Sequence, residues 1–365
     1  MSEKGKQIVI TAGTVILIIA IGITILFISK KKQNNGDNAG NENAVSEETI
    51  QTETTNQHSG QARSPLTGEW VSEDSASKVP VAVMYSNVAD AMPQSSISYA
   101  DIVFESLVEG GITRLCAVFE DQQGLEKIGP VRSCRTYYLF FAKEFEADYV
   151  HFGYSEYAKE YLDRSEMHAL DGMVYCDFYR TTDRVAPHNA YTSWTGIMNS
   201  VTEKGYPTTY TENFEQPWTF NDKDETEVTV QDGSSCKRFI PGYMYNNPYF
   251  LYNEETKQYD RYQFDGPQID AENEKQLSCK NILVKYVTGP YWPNGTPNYT
   301  IDGTGTGLYI TDGEAVTVYW KKSSEYGPTK YYYKDGTEIT LNQGKTWICQ
   351  IEEDRKDQVN IEPEQ

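Results

Sequence analysis

Asp101-Ile-Val-Phe-Glu105-Ser-Leu-Val-Glu109-Gly-Gly-Ile-Thr113-Arg114, running on through Leu115-Cys-Ala-Val-Phe-Glu120, is the stretch on which the fold turns. Its first three acids stand four residues apart. In an α-helix that spacing stacks them on one face, roughly 6 Å apart, which suits a pair of glycosidase carboxylates. In a strand they still share a face, but each step becomes roughly 13 Å. The β-branched residues and the Gly-Gly break fit either conformation. One working carboxylate, Glu105 or Glu109, is the catalytic expectation. The structural alternative uses the same acids as ion-pair partners for Arg114, Arg132 and Arg135.

On either side of this stretch the pattern is mixed. "VPVAVMY" (79–85) reads as a buried strand, and "ITRLCAVFE" (112–120) alternates like another. "RTYYLFFAKEFEADY" (135–149) places apolar residues at helical spacing, and "YVHFGY" (149–154) reads as a strand leaving that helix. "SEYAKEYLDRS" (155–165) predicts a second helix with Ser155 as N-cap. Residues 67–220 are therefore expected to form a mixed α/β (α+β) domain carrying the polar cluster. From 221 to 365 short β-rich runs alternate with Gly, Asn, Asp and Pro turns, and Asp335-Gly336 marks a hairpin tip. A mainly antiparallel β domain is expected there. Gly303-Thr-Gly-Thr-Gly307 opens a strand and lacks dinucleotide-binding context.

Toward the amino terminus, Ile8 to Ser29 is apolar and uncharged and is followed by Lys30-Lys31-Lys32. At about 1.5 Å per residue it makes roughly 33 Å of helix, enough for a hydrocarbon core of about 30 Å. It is too long for a secretory signal core, and Ser-Lys-Lys-Lys-Gln is a poor cleavage site. Residues 1–32 are thus expected to be a retained single-span anchor, with the membrane as a partner through residues 8–29. Residues 33–66 have almost no large apolar side chains and read as a polar spacer. The acidic, Tyr-rich body is expected outside the cell membrane.

The net charge of -21, from 53 acids against 32 bases, repels nucleic acid, so no nucleic-acid partner is expected. Four His and six Cys without a C-x-x-C pair give no metal pattern, and no cofactor motif is present. The cysteines suit either disulfides or buried free thiols. G-x-S-x-G, Walker and H-E-x-x-H motifs are absent.

Two further clusters carry polar chemistry. Ile128-Gly-Pro-Val-Arg132-Ser-Cys-Arg135 reads as a Gly-Pro turn into a helix whose first turn carries two arginines. Arginine there opposes the helix dipole, so each guanidinium needs an anionic group or a carboxylate as partner. Arg180-Thr-Thr-Asp-Arg184-Val-Ala-Pro-His188-Asn189-Ala-Tyr191 places an imidazole in a loop, and His188 is the best general acid/base candidate. The expected ligand-binding set is Asp101, Arg114, Arg132, Arg135, Asn189 and Tyr191. His151 reads as a core histidine and His168 as a surface one. Aromatic pairs such as Tyr291-Trp292 suit either sugar stacking or cross-strand packing.

Taken together, "PVAVMYSNVADAMPQSSISYADIVFESLVEGGITR" (80–114), "IGPVRSCRTYY" (128–138), "YVHFGYS" (149–155) and "RVAPHNAYTS" (184–193) closely resemble the YerB-like lipoprotein family of Gram-positive bacteria. The tail, from "YDRYQFDGPQID" through "NILVKY" to "GKTWI", resembles it too. The resemblance implies two domains of unknown function and a membrane-attached, extracytoplasmic body. It supplies no reaction, and the lipobox cysteine common in that family is missing here. The expected role is binding or modifying a cell-wall glycan or peptide. The alternative is a non-catalytic interaction or scaffold module for an envelope protein.

Overall fold

The structure, a computed structural model, describes residues 58–224 and 226–364. The anchor expected at 8–29 lies outside the described residues. Among the described residues no helix is long and apolar enough to cross a membrane. The folded body starts earlier than the spacer pattern suggests. Gln61–Arg63 pairs antiparallel with Trp70–Ser72, and Leu66 is fully buried. His58, which composition places in the spacer, stacks on Trp70 with ring centroids 3.9 Å apart.

The first half supplies strands β1 (Val81–Asn87), β2 (Ile102–Leu107), β3 (Thr113–Phe119), β4 (Asp148–His151) and β5 (Ala169–Asp171). It also supplies helices α1 (Thr136–Lys143) and α2 (Trp194–Lys204). The second half supplies β6 (Arg238–Ile240), β7 (Tyr249–Asn253), β8 (Gln258–Gln263), β9 (Asn281–Val287), β10 (Gly303–Thr311), β11 (Glu314–Lys322), β12 (Thr329–Tyr332) and β13 (Thr346–Glu352). The body is mostly β, with less helix than the mixed α/β reading implies. The helix expected over 155–165 shrinks to Glu156–Ala158 and Lys159–Leu162, and Ser155 makes no side-chain cap bond.

The two halves share one sheet of eleven strands. Its central order is β11-β10-β9-β13-β2-β3-β1-β4-β5. β13, near the end of the chain, runs parallel to β9 on one side and to β2 on the other. The strands β6, β7 and β8 belong to a second, six-stranded sheet.

The pleat divides the core. Val81, Val83 and Tyr85 of β1 and Leu115, Ala117 and Phe119 of β3 join a cluster with α2 and with Phe239, Phe250 and Tyr259 of the smaller sheet. Ala82, Met84, Cys116 and Val118 face the opposite way and pack with Tyr137, Tyr138, Phe140 and Phe141 of α1. Both faces of the central strands are covered, which is why they read as continuous apolar runs rather than alternating ones. The six cysteines are all buried and unpaired, so the free-thiol alternative holds.

Candidate anion-binding site

β2 and β3 form one hairpin joined through Glu109-Gly110-Gly111. Both glycines take φ +72, which a side chain would strain. The strand alternative for the opening stretch is therefore the one realised. Register pairs Glu105 with Leu115 and Ser106 with Arg114. Adjacent residues point to opposite faces, so Glu105 faces the smaller sheet and Arg114 faces α1.

Glu105 is sealed, with 0 % of its surface exposed. Its Oε1 accepts from Thr113 Oγ1 (2.9 Å), Asn246 Nδ2 (3.2 Å) and Asn87 Nδ2 (3.3 Å). Its Oε2 accepts from Arg261 Nη2 (2.8 Å) and Trp347 Nε1 (3.2 Å). Arg261 is equally buried, and its guanidinium lies 4.3 Å from the Trp347 ring and 4.8 Å from that of Phe250. A carboxylate with no solvent-facing atom cannot meet a substrate. The catalytic expectation for Glu105 is thus corrected to a structural role: it ties the two halves together. Its predicted partners change as well, because Arg114 lies on the opposite face.

Asp101 stands just before β2, eight residues from Glu109, roughly 20 Å or more along an extended chain. Its Oδ2 accepts the Glu120 backbone N–H at 2.8 Å. It belongs to the opposite end of the strands and leaves the expected ligand set.

Glu109 has a different environment. It accepts a bidentate pair from Arg135, Nε at 2.6 Å and Nη2 at 2.7 Å, and a hydroxyl bond from Thr296. Burial works against its ionisation, but Arg135 and Thr296 outweigh it and hold the carboxyl down at about 2.

Around this pair the guanidinium groups crowd. Arg114, only 5 % exposed, donates Nη1 to the Ser133 carbonyl. Arg135 donates Nη1 to the Cys134 carbonyl at 2.7 Å. Half-buried Arg132 reaches the Pro187 carbonyl at 3.5 Å, a weak bond that leaves most of its donors open. Arg180 donates to Asn189 Oδ1 at 2.7 Å and lies 4.9 Å over the Phe152 ring. Arg184 pins the loop by bonds to the Ala91 (2.6 Å) and Pro93 (2.7 Å) carbonyls. His188 Nδ1 lies 3.1 Å from Ser86 Oγ.

The electrostatics record this crowding. Burial, then Arg135 and Arg132, bring the Arg114 guanidinium down to about 10. Burial, Arg135 and Arg180 lower Arg132. Burial and Arg132, with Arg114 and Arg184, lower the His188 imidazole against the pull of Asp90. Arg114 and Arg132 stay charged at neutral pH all the same.

Several expectations change on this geometry. Arg132 and Ser133 precede α1, and Arg135 is its capping residue without a side-chain cap bond, so the guanidinium groups stand ahead of the helix rather than in its first turn. Asn189 spends its amide on Arg180 and on the Thr181 and Arg184 carbonyls. Tyr191 is fully buried. Neither presents a group to a ligand. His151 is buried as expected and bonds the Gly153 carbonyl at 2.8 Å. His168 is half-buried rather than superficial and faces Asp148 at 3.4 Å.

Arg180 and Arg261 were absent from the expected set. Arg180 sits at the edge of the His188 motif and could have been read with it. Arg261 follows Tyr259 by two residues in a strand whose buried face carries Tyr259, Arg261 and Gln263, and an arginine on that face signals a buried partner.

Fold and cluster together define a β-rich protein of two sequence halves that share one sheet and gather guanidinium groups at one end of its strands. The chain belongs to a bacterial family of unknown function. Residues 66–207 match "Protein of unknown function (DUF3048) N-terminal domain" and residues 240–348 match the corresponding C-terminal domain. It is 30% identical over 297 residues to "Putative lipoprotein YerB" of Bacillus subtilis (strain 168), covering 78% of this chain and 85% of that protein. The crystal structure of YerB from Bacillus subtilis superposes with a TM-score of 0.72 at 28% identity, covering 82% of this chain and 99% of that one.

Proposed function

We propose that this is an extracytoplasmic, membrane-attached protein of the cell envelope that holds an anionic group of a wall glycan or peptide on Arg132, Arg135 and Arg180. One observation carries the reading: in a chain of net charge -21, three guanidinium groups, Arg114, Arg132 and Arg135, share one carboxylate, Glu109, and Arg132 in turn faces Arg180 and His188. Such a cluster is relieved by an incoming oxyanion, and guanidinium groups bind carboxylates and phosphates in a bidentate manner. The lipoprotein description of the relative supports the envelope location. Exposed Tyr154 (44%) and Tyr291 (55%), and the stacked pair Tyr157–Trp292, lie on segments adjoining the Arg135–Glu109 pair and offer ring faces to a sugar. Glu109 is ionised and clamped, which favours binding over proton transfer.

The test is binding of a purified muropeptide with free carboxylates to the full-length chain in detergent, by calorimetry. Arg132→Ala is expected to weaken it by about tenfold or more, and amidation of the ligand carboxylates to do the same. Equal affinity for the amidated ligand would overturn the reading. A scaffold role has one observation in its favour. Met173 (66%), Val174 (74%) and Val185 (82%) are exposed on segments near the same loop, as a protein partner would require.

A further inference from the structure

The edge of the larger sheet is interrupted along β11. On its inner side β11 pairs with β10 over its whole length. Its outer side is taken by two separate strands. Ser234–Ser235 pairs with Ala315 and Glu314, and β12 pairs with Tyr319 to Lys322. Among the described residues no strand pairs with Val316, Thr317 or Val318 on that side. The two-residue turn Asp312-Gly313 closes the β10–β11 hairpin and fixes the alternation of its ladder. Glu314, Val316 and Val318 turn their N–H and C=O toward β10, whereas Ala315, Thr317 and Tyr319 turn theirs outward. Ala315 meets Ser234 there and Tyr319 meets Tyr332. Thr317, between them, meets no strand.

A cavity of about 400 Å³ opens at this gap. Val316 and the half-buried Tyr333 pack against the core and form its floor. Tyr319 stands beside it, 43 % exposed, and among the described residues its ring packs on no other ring. Gln231, Asp232, Lys334 and Asp335 make the rim, and all four are exposed. Asp335 Oδ1 accepts the Thr337 N–H at 2.9 Å, while its Oδ2 has only Gln231 Nε2 at 3.5 Å. Asp232 and Lys334 have no side-chain partner among the described residues. Two acids and one lysine leave the rim close to neutral in a chain of net charge -21.

We propose that this gap is a binding site for a neutral saccharide. A pyranose ring has an apolar C–H face and a rim of hydroxyls that both donate and accept. Tyr319 and Tyr333 offer ring faces to the first. The Thr317 backbone and hydroxyl, with Gln231, Asp232 and Lys334, supply donors and acceptors to the second. The volume falls in the small-molecule range of about 300–1,000 Å³. An added peptide strand fits less well. Ser234–Ser235 and β12 occupy the same edge on either side of the gap, and Ala315 to Tyr319 spans only about 14 Å, so an extended chain is blocked at both ends. The gap also lies five strands from β3, the strand that carries Arg114, or roughly 24 Å across the sheet. It is a site separate from the arginine cluster and does not depend on it.

The experiment uses the full-length chain in a detergent without a sugar headgroup. The probes are N,N′-diacetylchitobiose and cellobiose, with tri-alanine as the peptide arm, and binding is read by saturation-transfer NMR and calorimetry. Saturable binding of a disaccharide is expected, with weaker binding of tri-alanine. Tyr319→Ala, at an exposed position, is expected to lose about tenfold in affinity while its melting curve stays in place. Thr317→Val keeps the side-chain shape, removes the hydroxyl and is expected to lose severalfold. Arg132→Ala is expected to bind the disaccharide as the wild type does, which keeps a failure here distinct from a failure of anion binding. No saturable binding of either disaccharide, unchanged affinity in Tyr319→Ala, tri-alanine binding as tightly as the sugars, or loss of disaccharide binding in Arg132→Ala would each overturn the proposal.

Discussion

Glu105 and Glu109 sit four residues apart on one hairpin, yet they belong to different physical worlds. The first lies on the covered face of the sheet, with five neutral or charged donors around it and no exposed surface. The second lies in the turn, partly open, among more cations than it can neutralise. The contrast teaches that charge spacing alone does not assign a role. What matters is whether the strand's two faces are both covered, and by what.

The sharpest way to break the comparison is to remove one side of the sealed pair. Arg261→Ala leaves Glu105 charged, buried and short of its strongest donor. A loss of about 3–5 kcal/mol in unfolding free energy is expected, measured by urea denaturation. The double variant Glu105→Leu with Arg261→Met is expected to recover only part of that loss. Removing the carboxylate also strands Asn87, Thr113, Asn246 and Trp347, which all donate to it. Full recovery would mean that the lattice is a simple ion pair.

The open cluster should answer in the opposite way. Arg132→Ala removes a half-buried guanidinium held by one long bond, so stability is expected to change by less than about 1 kcal/mol or to rise. Anion affinity is expected to collapse in the same variant. If Arg132→Ala unfolded the protein as Arg261→Ala does, the distinction between the two regions would fail.

Much of this layout is legible in the sequence. "VPVAVMY" and "ITRLCAVFE" are strands in the structure, 135–149 does contain a helix and then a strand, and Glu109, Arg132, Arg135 and His188 each stand out in their own motifs. What stayed hidden is non-local. β13 inserts beside β2 across some 240 residues of chain, and nothing in "TWICQIE" specifies that neighbour. That pairing brings Trp347 to Glu105 and seals it. The same holds for Glu120 and Asp148, which end and begin strands and look like ordinary polar boundaries. Only the approach of α2 makes them the lining of a cavity.

The smallest expected effect concerns pH, and it separates the two ends of the sheet by sign. Glu109 titrates at about 2 in the folded protein, below its usual value of 4.5. A depressed carboxyl stabilises the fold above the unfolded value, and that contribution disappears as pH falls from about 4.5 toward 2. Burial lifts Glu120 to about 7, above its usual 4.5. The folded state then holds a proton that the unfolded chain releases, so stability declines as pH rises from about 4.5 to 7. Melting curves at pH 5 and pH 7.5 are therefore expected to show a lower Tm at the higher pH, and Glu120→Gln should flatten that difference while Glu109→Gln leaves it in place. A Glu120→Gln protein that kept the full slope would mean the acid end of the sheet is already neutralised, and the contrast between the two ends would lose its physical basis.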